Sequence, residues 1–445
     1  MAETPKGLTR RFARFVCETR DADIPESVTE HAKVALLDWY AVTIAGKDDP
    51  LVRKLTRLAD LEGGNEQATL LGQGVKKTAS QATLINGAAS HALDYDDTLM
   101  RFLGHPSVTL FPSVLALAEW KRKTGSEVLA AYVIGFKAGT SLGAFAGMRH
   151  YLAGWHGTST IGHLASASAC ARLLGLDEGQ TTCALGIAAT QASGLKRVFG
   201  TMCKPFHAGK CSQAGLNSAL LAAEGFTCAE DILEGPQGFF EVLQADRNEE
   251  AIETLGKTWD IESLAQKYHA SCHATHSPIE AVLKIVGANR LSVSDIRSIT
   301  VKSSQVGLSA AHQMDPHDGL TGKFSIPYCV ANALLRGNTG MQAFTEEKVH
   351  DPEIRAFMKR ICVVLDEQKV AMEATAEVET TGGKVYSAFS DVLQEVPALE
   401  VKKEKLRAKF EDLCRPVLGE KQTGKVRDAI LALDELEDIR VLVEA

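Results

Sequence analysis

Hydrophobic positions along the chain recur mostly at helical spacing. Val28, Ala32, Ala35, Leu36, Trp39 and Val42 form one stripe, Pro25 suits its first turn and Gly46 ends it, which predicts a helix over 25–45. SQATLINGAASHALDY places Leu84, Ile85, Ala88, Ala89 and Ala92 near the same period. Further helices are predicted over about 106–123, from Ser126 into GFKAGTSLGAFAG, and over 158–174, with Thr158 or Ser159 as cap and Gly175 as stop. Two more are expected over 177–195 and from near Ser212 to Gly225. Glycines at 135, 139, 143 and 147 lower helix propensity, so their four-residue spacing points to close helix–helix contact. Near residue 260 the pattern changes. IRSITVKSS alternates as a strand does, and AEVETTGGKVYSAFS reads as a hairpin turning at Thr381-Gly382-Gly383. GKFSIPYCVANALLRG (322–337) reads as a helix entered through Pro327, and a charged helical tail runs from Lys402 to Glu444. The expected fold is mainly α: a large all-helical domain over 1–261 with a C-terminal return over 401–445, and a smaller α+β domain over 262–400.

Composition narrows the function. The 445 residues are 45% hydrophobic but only 6% aromatic, which favours helices packed on small side chains over a β-sandwich. A net charge of −8 argues against nucleic acid or an anionic membrane as the main partner. The N-terminal stretch has no apolar core of a signal peptide, and no run approaches the roughly eighteen apolar residues of a membrane span. Ten cysteines are scattered without CxxC pairs, as expected for reduced thiols in a cytoplasmic protein.

Candidate chemistry concentrates in HALDYDDTLMRFLGHPS, which offers His91 and His105, three carboxylates (Asp94, Asp96, Asp97) and Thr98. The cluster follows a predicted helix end, where the dipole disfavours anions, so the carboxylates need cations, donors or a metal as partners. A solvated turn with an Asp capping the next segment is the bland alternative. His105, fixed between Gly104 and Pro106, has no helical periodicity to make it a core residue. His156 precedes a predicted helix start, where backbone donors favour an anion. GLKRVFGTMCKPFHAGKC, read as a turn-rich connector, gathers Lys196, Arg197, Lys204, His207 and Lys210, a setting for carboxylates or phosphates without the pattern of a nucleotide P-loop. KYHASCHATHSP carries Lys267, His269, Cys272, His273 and His276; HxxH with one Cys lacks the four ligands of structural zinc.

Together HALDYDDT…GHPS, GWHGTSTIG, GTMCKPFHAG, CHATHSPIEA and KFSIPYC resemble the MmgE/PrpD family over nearly the whole chain. The resemblance implies a helical domain with an α+β lid domain, a homodimer, no metal or organic cofactor, and a small anionic di- or tricarboxylate as substrate. That family includes 2-methylcitrate dehydratase, cis-aconitate decarboxylase and iminodisuccinate epimerase. Pocket positions of the decarboxylase carry over to Asp94, Thr98, His105, His156, Lys204, Lys267 and Tyr328, while Cys272 stands where that enzyme has a histidine, which counts against decarboxylation of cis-aconitate. Removing a proton α to a carboxylate needs a base near neutral pKa and cations for the developing charge, which casts His105 and His156 as the acid/base pair. Asp94 would orient one imidazole, and Lys204, Lys267 and His207 would clamp carboxylates. Tyr328 resembles the dehydratase and decarboxylase branch, whereas HYLAGWHGTST and the Asp94–His105 step resemble the epimerase, for which Tyr151 and Lys204 would be the two bases. A dehydratase-like lyase is the favoured expectation. The epimerase, the decarboxylase, a non-catalytic dicarboxylate binder and a metal-dependent hydrolase built on the Asp/His cluster are the alternatives.

Overall fold

A computed structural model describes residues 7–311 and 313–444. It divides into two compact units, one comprising 1–266 and 398–445, the other 267–397.

The first unit is a helical assembly. The predicted stripe becomes helix Glu26–Gly46, and Ala79–His91, Ser107–Lys121, Gly125–Leu152, Gly157–Leu174 and Glu178–Gln191 follow with ends close to those expected. Gly175 stops its helix in the left-handed conformation at φ 69°, but the helix opens on His156 without a side-chain cap, so neither Thr158 nor Ser159 has the capping role expected of it. Gly125–Leu152 is long and apolar enough to cross a membrane by length and composition, yet 94% of its apolar window is buried within the protein. Of the four spaced glycines, Gly135 and Gly139 lie against helix Gly157–Leu174, as expected, whereas Gly143 meets Arg101 and Phe102 and Gly147, at φ 69°, interrupts the helical geometry within Gly125–Leu152. A Cβ on Gly135 would lie 2.6 Å from that of Ala169, and one on Gly209 would lie 2.1 Å from the Leu84 carbonyl oxygen.

The largest departure concerns the basic connector. Residues expected to form turns before Ser212 instead form the first turns of helix Cys203–Ala223. Pro205 falls in the first turn, where its missing N–H costs no intrahelical bond, and Gly209 is where this helix crosses Ala79–His91 too closely for any side chain. Both residues look like breakers in the sequence and are compatible with the helix for these reasons. The short antiparallel pair Ala68–Leu70 and Val75–Lys77 was not foreseen either. The C-terminal tail returns as Leu399–Leu418 and Glu420–Leu431, with Leu399–Leu418 packed on Glu26–Gly46.

The second unit contains a four-stranded sheet in the order Ile361–Leu365, Ile296–Ser303, Ala374–Thr380, Val385–Ser390. The first pair is parallel and the other two antiparallel. Ala374–Thr380 alternates buried and half-buried positions, and helix His276–Asn289 packs on it and on Val385–Ser390. The hairpin turn falls between Thr380 and Val385, as its Thr-Gly-Gly predicts, and Ile326–Arg336 is the expected helix with Pro327 in its first turn.

Candidate active site

Three neighbouring carboxylates in the helical unit have separate sets of partners. Helix Ala79–His91 ends at His91, and Asp94 then adopts φ 52°, a left-handed conformation that Asp tolerates better than most residues. This turn sends Asp94 toward Lys204, whose Nζ lies 2.7 Å from its carboxylate. Lys204 and His207 sit one turn apart at the start of helix Cys203–Ala223 and so share a face.

Asp96 is 1% exposed and offers one oxygen to each of two histidines: Oδ1 lies 2.8 Å from His91 Nδ1, and Oδ2 lies 2.8 Å from His105 Nδ1. Burial alone would raise its pKa, but the two imidazoles outweigh that and hold it well below the usual carboxylate range. The His91 contact is a hydrogen bond, whereas the His105 contact is a close approach without hydrogen-bond alignment; an ionised carboxylate oxygen 2.8 Å from each Nδ1 favours the proton there, so the proton-free nitrogen of a neutral His105 is Nε2. The role expected of Asp94, orienting an imidazole, therefore belongs to Asp96; Asp94 is drawn away by Lys204.

Asp97 meets the start of the next helix, as the bland alternative has it, but it is 1% exposed and lies in no solvated turn. It accepts from Ser107 N–H at 3.2 Å and is hydrogen-bonded to the Ser107 hydroxyl, which also lies 2.8 Å from Tyr132 Oη, so it caps helix Ser107–Lys121. Its complete burial pushes its pKa up to about 8, against the hydrogen bonds from Ser107.

His105 is set by its neighbours as well as by Asp96. Its backbone N–H donates to Thr158 Oγ1 at 3.2 Å, and a Cβ on Gly104 would come within 2.2 Å of that same oxygen, so the Gly before His105 is required by close packing. Burial drives the His105 imidazole down to about 4 despite the Asp96 charge, so it is neutral at ordinary pH. The sequence-based expectation of a near-neutral pKa is corrected accordingly for the free protein. His156, 2% exposed, is held well below the ordinary value by burial first and then by Lys204 and the surrounding imidazoles. Its Nδ1 lies 3.1 Å from His207 Nδ1, its backbone N–H donates to Gly194 O at 2.9 Å, and its ring meets Phe199 edge-on. The His91 ring connects the group, with centroids 4.5 Å from His105 and 6.4 Å from His156.

One ligand atom from each of His91, Asp94, Asp96 and His105 falls within 4.8 Å of the others, a spacing able to hold a cation. Asp94 already faces the Lys204 ammonium, and each Asp96 oxygen faces an imidazole N–H, so this donor set is engaged as it stands.

The remaining expected site residues are distributed as follows. Thr98 pairs through its backbone with Ala265. Tyr151 has Lys196 Nζ 3.8 Å above its ring, and Lys204 is paired with Asp94. In the second unit, Lys267 is 1% exposed; the Cys272 N–H donates to Lys323 O at 2.8 Å and its Sγ lies 3.9 Å from Ala310 O. Tyr328 is fully buried, with its hydroxyl donating to the Ala343 carbonyl. Among the neighbouring histidines, His269 contacts Thr339 Oγ1 at 2.6 Å and Glu280 at 3.1 Å, and His276 Nε2 lies 3.2 Å from Ser271 O. Sequence reasoning missed the roles of His91 and Asp96. The five-residue step between them, across a helix end, was the available signal.

Comparison with known proteins covers both units. A model of the MmgE/PrpD N-terminal domain matches residues 10–251, and one of the MmgE/PrpD C-terminal domain matches 269–435. Cis-aconitate decarboxylase of Aspergillus terreus is 27% identical over 476 residues, covering 98% of this chain and 95% of the relative. Cis-aconitate decarboxylase of Homo sapiens is 23% identical over 98% of this chain and 94% of its own. The mitochondrial 2-methylcitrate dehydratase of Yarrowia lipolytica is 25% identical over 78% of this chain and 71% of its own.

Proposed function

Because the chain belongs to the MmgE/PrpD family, we propose that it is a carboxylate lyase, dehydratase-like, acting by removal of a proton α to a carboxylate of a small di- or tricarboxylate. The observation that carries the reading is Asp96. With an oxygen 2.8 Å from Nδ1 of each of His91 and His105, it favours the proton on Nδ1 and leaves His105 Nε2 unprotonated as the base. Lys204, freed from or shared with Asp94, binds a substrate carboxylate, and His156 protonates the leaving hydroxyl. An anionic substrate beside His105 adds negative charge to the site and moves the imidazole from about 4 back toward neutrality, where it works as a base.

Decarboxylation is the second reading, supported by relatives of that name that span almost the whole chain. Cys272, where the resemblance expects a histidine, weighs against it.

Kinetics of two variants, with whichever β-hydroxy acid the wild type turns over, test the roles. His105→Ala should lower kcat by roughly 10²–10⁴, the usual worth of a positioned base, with little change in KM. Lys204→Ala should chiefly raise KM, since a clamp present in ground and transition states contributes uniform binding. If Lys204→Ala abolishes kcat while His105→Ala only weakens binding, lysine is the base and the lyase reading is abandoned.

A further inference from the structure

We propose that His207 is a positioning residue that relays a solvent proton to His156 Nδ1, so that a neutral, buried His156 can act as the acid of the reaction. This rests on the lyase reading above. Two imidazole nitrogens 3.1 Å apart are bonded only if one carries hydrogen and the other does not, so the His156–His207 contact holds a single shared proton. The two rings differ in access: His156 is 2% exposed, whereas His207 is only half-buried. Helix Cys203–Ala223 holds His207 from its second turn, one turn beyond Lys204, and a Cβ on Gly194 would stand 3.3 Å from His207 Nδ1, so the loop packs against the relay atom.

The direction of the bond follows from what the site must bind. An anionic carboxylate brings acceptors into the cluster, and His105 already presents an unprotonated Nε2. The complementary ring therefore presents Nε2–H, with its Nδ1 accepting from His207 Nδ1–H. A neutral imidazole that gives up its only proton becomes an imidazolate, a very poor outcome in a buried site. The relay avoids it. As the Cα–H proton passes to His105 Nε2, its electron pair forms the C=C bond and the C–O bond breaks with its pair on oxygen. The His156 Nε2–H proton goes to that oxygen, the His207 Nδ1–H proton moves to His156 Nδ1, and a solvent proton joins His207 Nε2. Water leaves, and both histidines remain neutral with their tautomers exchanged; release of the His105 proton to solvent balances the one taken up.

The tautomers are read directly in wild-type protein labelled with [¹⁵N]histidine. His156 should show a protonated Nε2 and an unprotonated Nδ1, with the shared proton on His207 Nδ1; a proton resident on His156 Nδ1 overturns the proposal. Function is read in His207→Ala and His207→Gln, with thermal melts reporting whether each is folded. Both should lose roughly 10²-fold or more in kcat at similar KM, within the range for a lost proton-transfer group. Added imidazole should restore at least tenfold to His207→Ala, whose cavity admits it, and nothing to His207→Gln, which keeps a donor to Nδ1 but cannot pass a proton. A kcat of His207→Gln within twofold of wild type, or no rescue of a folded His207→Ala, overturns the relay. If the wild type turns over no carboxylate, the lyase reading fails on its own, and the tautomer spectrum still decides the His156–His207 arrangement.

Discussion

Asp94, Asp96 and Asp97 have the same side chain and nearly the same address, yet burial and partners give them different chemistry. Asp96 is ionised between two imidazoles, Asp97 is pushed up to about 8 as a helix cap, and Asp94 faces a lysine. That difference turns on which way each carboxylate points, which residue order does not encode. The sequence identified the cluster, His105 and Lys204; the left-handed turn at Asp94 decided which carboxylate orients the imidazoles. Asp96→Asn isolates this role. An Asn amide can donate toward His105 Nδ1 and so move the imidazole proton to Nε2, removing the base while conserving shape. We expect kcat to fall by roughly 10²–10⁴ with the fold intact by circular dichroism, a loss comparable to that of His105→Ala. Near-wild-type kcat would mean that Asp96 does not set the tautomer.

At the scale of elements, the site loop is held from behind by the C-terminal return. Lys409, on helix Leu399–Leu418, donates to the Tyr95 carbonyl at 2.7 Å, lies 3.7 Å above the Tyr95 ring and pairs with Asp38 at 2.6 Å. Lys402 on the same helix donates to Glu262 O and Leu264 O, both at 3.0 Å, and burial brings its pKa down to about 8. The tail was legible as a charged helix, but its two buried lysines were not, because only the tertiary fold places them inside. Lys409→Met removes the cation from a carboxylate that is 1% exposed, so stability should fall by about 3–5 kcal/mol in urea unfolding. Asp38→Asn combined with Lys409→Met should recover a large part of that loss. A single variant as stable as wild type would show that the pair does not anchor the loop. Helix Cys203–Ala223 teaches the complementary lesson: Pro205 and Gly209 hid the element that carries both Lys204 and His207, since a proline in a first turn and a glycine at a crossing break nothing.

For the whole molecule, hydrophobic periodicity foretold most of the helices, the strand and hairpin near 300 and 380, and a mainly α chain with a smaller α+β part. Long amphipathic segments and a Gly-Gly hairpin are local signals; the pairing of Ile296–Ser303 with the distant Ile361–Leu365 is not, and only the fold reveals it. The family was legible for a different reason, since several motifs in one order are far more specific than any one alone. The bond that is broken is the property the whole protein must answer for. The direct measurement is NMR of 2-methylcitrate, citrate, cis-aconitate and iminodisuccinate stereoisomers incubated with the protein in D₂O. Alkene formation from a β-hydroxy acid, without loss of carbon, is the expected result. Loss of CO₂ from cis-aconitate would instead establish the decarboxylase, and stereoinversion with deuterium at the α carbon and no alkene would contradict the lyase altogether.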